Sequence, residues 1–229
     1  MNESLNQKTQ ERIPPGLEPV KMSENWFLIR RALSDEGKWH IDGFEDILFG
    51  QSLGSGDGGQ FNTIGAPSQL VFALSIVPNA SVTDILKENT EASPRNIVQE
   101  LRKIRPLSGM KIIDLGCGFP TFALAAGALG AEVYTADHGF MHPDTMAKLK
   151  GHTNIDLNDA NALEVLQKAT GGDFDLVTEW IIGTTHQDSR HLKVPDKQTI
   201  LHLGDGLLKK GGYLYSLEAG KGVKPYRKK

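Results

Sequence analysis

Hydrophobic spacing divides the chain into two parts. Up to about residue 105, apolar positions recur at helical intervals. Beyond it, short apolar runs alternate with helical stretches. In the first part Trp26, Phe27, Ile29, Leu33, Trp39, Ile41, Phe44, Ile47, Leu48 and Phe49 fit two short helices separated near Gly37. The run 70–77 predicts a buried helix, and 81–86 the capped start of another. Ser93 and Pro94 open a helix through 104, with Ser93 as N-cap and Pro94 in the first turn, where proline is tolerated. Its apolar face is Ile97, Val98, Leu101 and Ile104.

In the second part strands are predicted at 110–115, 132–136, 154–157, 174–178 and 213–217. Helices are predicted between them at 122–129, 143–150, 162–170 and 197–210, several closed by glycine. Strand–helix alternation with short connections implies a mostly parallel sheet with helices on both faces. The domain reading is an arm at 1–22 that is disordered or loosely attached, a helical cap or substrate segment at 23–105, and an α/β domain at 106–229. No internal repeat is present.

Composition narrows the function. The formal net charge is −3, so no overall basic field draws in nucleic acid. The basic cluster Lys221, Lys224, Arg227, Lys228 and Lys229 reads as a solvated tail. One cysteine, Cys117, excludes an internal disulfide. The polar N-terminus with Pro14-Pro15-Gly16 lacks the apolar core of a signal peptide, and no run of 18 apolar residues occurs. A cytoplasmic location without membrane contact is expected. Gly54-Ser55-Gly56-Asp57-Gly58-Gly59 lacks the Lys-Ser/Thr of a phosphate loop, and reads either as a flexible loop or as a mobile lid.

The chemistry lies in Ile112-Ile113-Asp114-Leu115-Gly116-Cys117-Gly118-Phe119-Pro120, where a strand runs into a two-glycine turn and a helix follows. Glycine lets the backbone turn sharply and approach a ligand. A dinucleotide fingerprint has a third glycine and no need of an acid before the first. Here Pro120 occupies the third position and Asp114 precedes Gly116. An anionic pyrophosphate gains nothing from Asp114, whereas a cationic ligand does.

This stretch resembles motif I of the class I (Rossmann-like) S-adenosylmethionine-dependent methyltransferases, an apolar strand followed by Asp/Glu-x-Gly-x-Gly. Asp137, about 20 positions on, stands where Rossmann-type sites hold a ribose hydroxyl. Asn158-Asp159-Ala160 is similar to the family's Asp-Ala pair, whose acid reaches the adenine amino group. Residues 174–180 resemble the fourth-strand motif. Leu207-Leu208-Lys209-Lys210-Gly211-Gly212 resembles the turn before strand five. The resemblance thus implies a Rossmann-like domain with S-adenosylmethionine as cofactor. Its contacts would be Asp114, Gly116, Cys117, Gly118, Asp137, His138, Asn158, Asp159, Ala160 and Glu179. The family's helix and two-strand hairpin after strand five have no evident counterpart in the few residues after Leu217, so the hairpin is expected to be absent. Either the sheet stops at five strands, or the N-terminal region or a partner chain covers its edge.

The implied reaction is methyl transfer, with a small molecule as the expected acceptor. Nucleic acid is disfavoured as a partner, and a homo-oligomer is compatible with the chain. Glu179 and His186 are the candidate catalytic groups. Glu179 would orient the acceptor, face the sulfonium or take a proton; the competing reading is a solvated loop residue. The histidine spacings fit no zinc pattern, and no metal is expected. A non-catalytic S-adenosylmethionine-binding sensor, or an activating subunit of another enzyme, is the alternative. A nicotinamide-dependent dehydrogenase is disfavoured by Asp114.

Overall fold

The structure is a computed structural model that describes residues 12–22, 65–77, 80–88, 94–118, 120–139, 141–180, 195–218 and 222–229. The helices expected within 24–50, the glycine-rich segment 54–59, Ser93 and His186 lie outside the described residues.

In chain order the elements are β1 (Leu17–Pro19), α1 (Gly65–Ile76), α2 (Ala80–Glu88), α3 (Pro94–Ile104), β2 (Lys111–Leu115), α4 (Thr121–Ala128), β3 (Glu132–Asp137), α5 (Pro143–Met146), β4 (Gly151–Asn154), α6 (Ala162–Thr170), β5 (Phe174–Trp180), α7 (Lys197–Leu207), β6 (Leu208–Glu218) and β7 (Gly222–Lys228). The strands form one sheet in the order β1-β7-β6-β5-β2-β3-β4. The pairs β4–β3, β3–β2, β2–β5 and β5–β6 are parallel. The chain therefore winds both ways outward from β2 and β5, and in such sheets ligands bind at the carboxyl ends near that reversal.

Side chains alternate between the two faces of a strand. On one face Ile112, Val133, Leu176 and Tyr215 pack with Leu70, Phe72 and Leu74 of α1, Val82 of α2, Leu101 of α3 and Phe122 of α4. On the other face Ile113, Leu115, Val177, Leu214 and Tyr226 pack with Leu166 of α6 and Leu201 and Leu207 of α7. Residues of α1 to α3 thus share a core with the sheet. Helix α7 approaches β6 so closely that a Cβ on Gly204 would lie 2.7 Å from Leu214 Cδ2. That contact accounts for a glycine inside a helix, despite its cost there.

The edge beyond β6 corrects the sequence reading. Far from being absent, a C-terminal hairpin is formed: β7 pairs antiparallel with β6, from Tyr213↔Arg227 to Glu218↔Gly222. Strand β1 then pairs antiparallel with β7, from Leu17↔Lys228 to Pro19↔Tyr226. The N-terminal segment supplies the outermost strand, so few residues after Leu217 suffice. Part of the expected arm is therefore docked: Leu17 is buried at 2% exposure. Residues 1–11 lie outside the described residues. Of the basic cluster, Lys224, Arg227 and Lys228 belong to strand β7 rather than to a loose tail, and Lys221 lies outside the described residues. Lys228 Nζ bonds the carbonyl of Asp205 at 2.7 Å and pairs with its carboxylate. Arg227 lies 5.9 Å from the centre of the Tyr213 ring, and Lys229 Nζ donates to Pro15 O at 2.9 Å.

Smaller differences concern boundaries. Strand β4 occupies Gly151–Asn154 rather than 154–157, because Ile155 and Leu157 turn into the α6/α7 core. Helix α7 ends at Leu207, and Leu208 is already extended and paired with Phe174. The register then shifts before Leu176↔Tyr213. The predicted Lys-Lys-Gly-Gly helix end is thus an irregular strand start. Helix α5 stops at Met146, four residues short of the expected end at 150.

Candidate functional site: a carboxylate-lined end of the sheet

Strands β2, β3 and β5 deliver their chemistry where they end. Ile112 and Ile113 bury β2 on both faces, and the next residue toward the α1 face is Asp114. It is 4% exposed. In register beside it on β5 stands Thr178, whose Oγ1 donates to Asp114 Oδ1 at 2.6 Å. Gln69 Nε2, from α1, donates to the same oxygen at 3.3 Å. Burial pushes the Asp114 carboxyl up to about 7, against the lowering effect of the Thr178 and Gln69 bonds. The negative charges of Glu179 and Asp137 push it further in the same direction. Among the described residues its hydrogen-bond partners are neutral donors, and its charged neighbours carry its own sign.

The turn after β2 requires glycine. Gly116 has φ +64° and Gly118 φ +49°, where a Cβ is strained. A Cβ on Gly118 would meet nothing within 4 Å, so the turn leaves open space at that point. Gly116 N is held by Ala136 O at 2.7 Å. Between the glycines, burial raises the Cys117 thiol well above its usual range, and the charges of Asp114 and Asp137 add to this. The thiol stays protonated and is a poor nucleophile. Pro120 serves as N-cap residue of α4, and its carbonyl accepts from Leu124 N at 2.9 Å. It thus opens the helix, as the sequence suggests.

Asp137 closes β3. Its Oδ2 accepts from Gly118 N at 2.7 Å and its Oδ1 from Gly139 N at 3.0 Å. The second acidic residue thereby ties the glycine turn to β3. His138 Nδ1 lies 3.1 Å from Asp137 Oδ1, with its side chain half exposed. Asn158, Asp159 and Ala160 lie in the turn between β4 and α6. Asn158 Nδ2 donates to Asp156 Oδ1 at 3.0 Å, whereas Asp159 and Ala160 are exposed. The N-cap residue of α6 is Asn161, so Asp159 is not spent as a cap.

Glu179 follows Thr178 and so faces the opposite side of the sheet, in register between Leu115 and Ser216. It is 6% exposed, and Ser216 Oγ donates to its Oε2 at 2.7 Å. A solvated loop residue is therefore the wrong description. Asp114 and Glu179 straddle the carboxyl edge of the sheet, one on each face. No group of three or more His, Cys, Asp or Glu residues suited to a metal occurs among the described residues.

Sequence reasoning missed Gln69, Thr178, Ser216 and the pair Thr135–His152. Thr135 Oγ1 lies 2.9 Å from His152 Nδ1, and burial lowers the imidazole's pKa, an effect only partly opposed by the Asp137 charge. Thr178 was legible in principle as the in-register neighbour of Asp114. Nothing in sequence ties Gln69 to a residue 45 positions away.

No family model matches the chain, and no curated protein does. Solved structures give partial overlaps. A T. thermophilus 16S rRNA N2 G1207 methyltransferase, in complex with AdoMet and guanosine, matches at TM-score 0.37 and 14% identity over 66% of this chain and 43% of its own. A TehB-like SAM-dependent methyltransferase from Corynebacterium glutamicum matches at TM-score 0.32 and 19% identity, over 54% and 62%. The MycE methyltransferase of the mycinamycin biosynthetic pathway, with Mg and SAH, matches at TM-score 0.34 and 14% identity, over 67% and 39%. This chain thus spans less than two thirds of each, and its function is read from its own residues.

Proposed function

We propose that this chain binds S-adenosylmethionine at the carboxyl ends of β2 and β3 and transfers its methyl group to an acceptor, with a small molecule as the preferred class. The observation that carries the reading is Asp114: a buried carboxyl with neutral donors on one oxygen and like charges nearby. Such a group gains most from a cation. A dinucleotide pyrophosphate adds negative charge to the same place and fits poorly.

The residues present suit the cofactor. Asp114 would face its cationic amino-acid part, and the open space at Gly118 admits close backbone approach. Asp137 keeps acceptor capacity on both oxygens beyond its two amide bonds, which suits ribose hydroxyls. The exposed Asp159 suits the adenine amino group, with Asn158 and Ala160 beside it. When bound, the cofactor supplies a methyl group on a sulfonium whose leaving group is a neutral thioether. The protein's part is then to orient the acceptor and exclude water. Glu179, fixed by Ser216, is placed to orient an acceptor or to take its proton where the acceptor starts protonated. His186 retains its candidacy from sequence alone. Of the segment 23–105 read from sequence as a cap or substrate segment, residues 23–64 lie outside the described residues.

An absent final hairpin would slightly favour a non-catalytic binder, but β7 forms a hairpin with β6. The test is turnover. The full chain, incubated with methyl-labelled S-adenosylmethionine and fractionated metabolite, protein and RNA pools, should label the small-molecule pool. Label in RNA or protein would replace the acceptor class, and cofactor binding without label in any pool would leave the sensor.

A further inference from the structure

Gln69 has no role in the cofactor chemistry described so far, yet it is 2% exposed at the start of the buried run Leu70 to Leu74 of α1. A side-chain amide in such apolar company is costly unless it is hydrogen-bonded. Its Nε2 reaches Asp114 Oδ1 at 3.3 Å, and Thr178 Oγ1 reaches the same atom at 2.6 Å. One donor comes from the helix layer and the other from the neighbouring strand. Two donors from different elements restrict rotation of the carboxyl and fix which oxygen each side sees. Both fall on Oδ1, and among the described residues no hydrogen bond reaches Oδ2, the oxygen then available to a ligand.

We propose that Gln69 is a positioning residue for the cofactor: by holding Oδ1 it presents Oδ2 of Asp114 to a cationic group and couples helix α1 to the cofactor site. The inference rests on the assignment of Asp114 above. Among the described residues, Thr178 of β5 shares a face with Asp114, the Cys117 thiol lies in the turn beside it, and the charges of Asp137 on β3 and of Glu179 on the opposite face of the sheet also act on it. None of these is a cation, so the two neutral donors do the orienting. The competing role for Gln69 is simple filling of the α1–β2 interface. Substitution would then weaken binding whether or not residue 114 is a carboxylate.

A double-mutant cycle on the full chain separates the two, with S-adenosylmethionine titrated into Gln69→Met, Asp114→Asn and the double variant. Loss of a bond to a charged group, here a long one, should weaken binding about tenfold in the Asp114 background. In the Asp114→Asn background Gln69→Met should change it less than about twofold. Gln69→Met should also move the pH dependence of binding to higher pH, because a donor that favours the ionised carboxyl is gone. Equal losses in both backgrounds, or an unshifted pH profile, would overturn the inference alone. A wild-type chain that binds no cofactor would overturn the functional reading and this inference with it. If Gln69→Met does not fold, Gln69→Asn keeps the amide but shortens its reach, and the same cycle decides.

Discussion

Charge is handled in opposite ways at the carboxyl end of the sheet and at its β7–β1 edge. At the edge the cations are matched within the fold. Lys228 meets Asp205, Arg227 lies over Tyr213, and Lys229 reaches a backbone carbonyl across the chain from its own C-terminus. At the carboxyl end Asp114 is buried among neutral donors, with Asp137 and Glu179 adding negative charge. Internally matched charges explain a structure. A buried carboxyl with like-charged neighbours costs stability, and that cost makes sense where a cationic ligand offsets it.

The largest expected effect follows from removing that carboxylate. Asp114→Asn should weaken S-adenosylmethionine binding by roughly 2–5 kcal/mol, about 30-fold to several thousand-fold, as titration calorimetry would show. Wild-type affinity in a folded Asp114→Asn chain would break the contrast at once. The same variant should be more stable than wild type above neutral pH. In the folded chain Asp114 holds its proton up to about 7. An unfolded aspartate releases it near 4, so the folded state loses stability as pH rises between the two values. The loss is at most about 1.4 kcal/mol per pH unit. Thermal melts from pH 4 to 8 should show this slope in wild type, and a weaker one in Asp114→Asn.

Asp137→Ala should cost roughly 1.5–3 kcal/mol of cofactor affinity, or about 10-fold to 150-fold. Part of this would come from the proposed ribose contacts and part from the freed amides of Gly118 and Gly139. An unchanged dissociation constant in a folded variant would take Asp137 out of the site. Smallest is the effect at the edge: Lys228→Met should lower unfolding free energy by about 1 kcal/mol and leave cofactor affinity unchanged. A denaturant melt and a titration check both halves, and a drop in affinity would show that the edge is not independent of the site.

The glycine turn, the strands around it and the acids at 114 and 137 were legible because each is a local pattern: a run of apolar residues, a turn, a charge at its end. The hairpin was not. Residues 222–228 carry Gly222, Lys224, Pro225 and Lys228, which argue against a strand by propensity. Antiparallel pairing on both sides overrides it, and one partner comes from Leu17–Pro19 at the far end of the sequence. Glu179 was legible as a strand-end acid, but its facing was not. Only the register Leu115↔Glu179↔Ser216 shows that it points away from Asp114. Gln69 illustrates the same limit, since a contact between a helix and a distant strand leaves no trace in local spacing.

On the proposed reading, Asp114 gives up a proton to receive a cation. The most direct test is calorimetric titration of S-adenosylmethionine at pH 6.5 in two buffers of different ionisation enthalpy. With its carboxyl near 7, free Asp114 is mostly protonated at that pH, so binding should release roughly half a proton or more per site. The release should vanish in Asp114→Asn. Binding with no proton exchange in wild type, or binding of NAD as tight as that of S-adenosylmethionine, would contradict the claim.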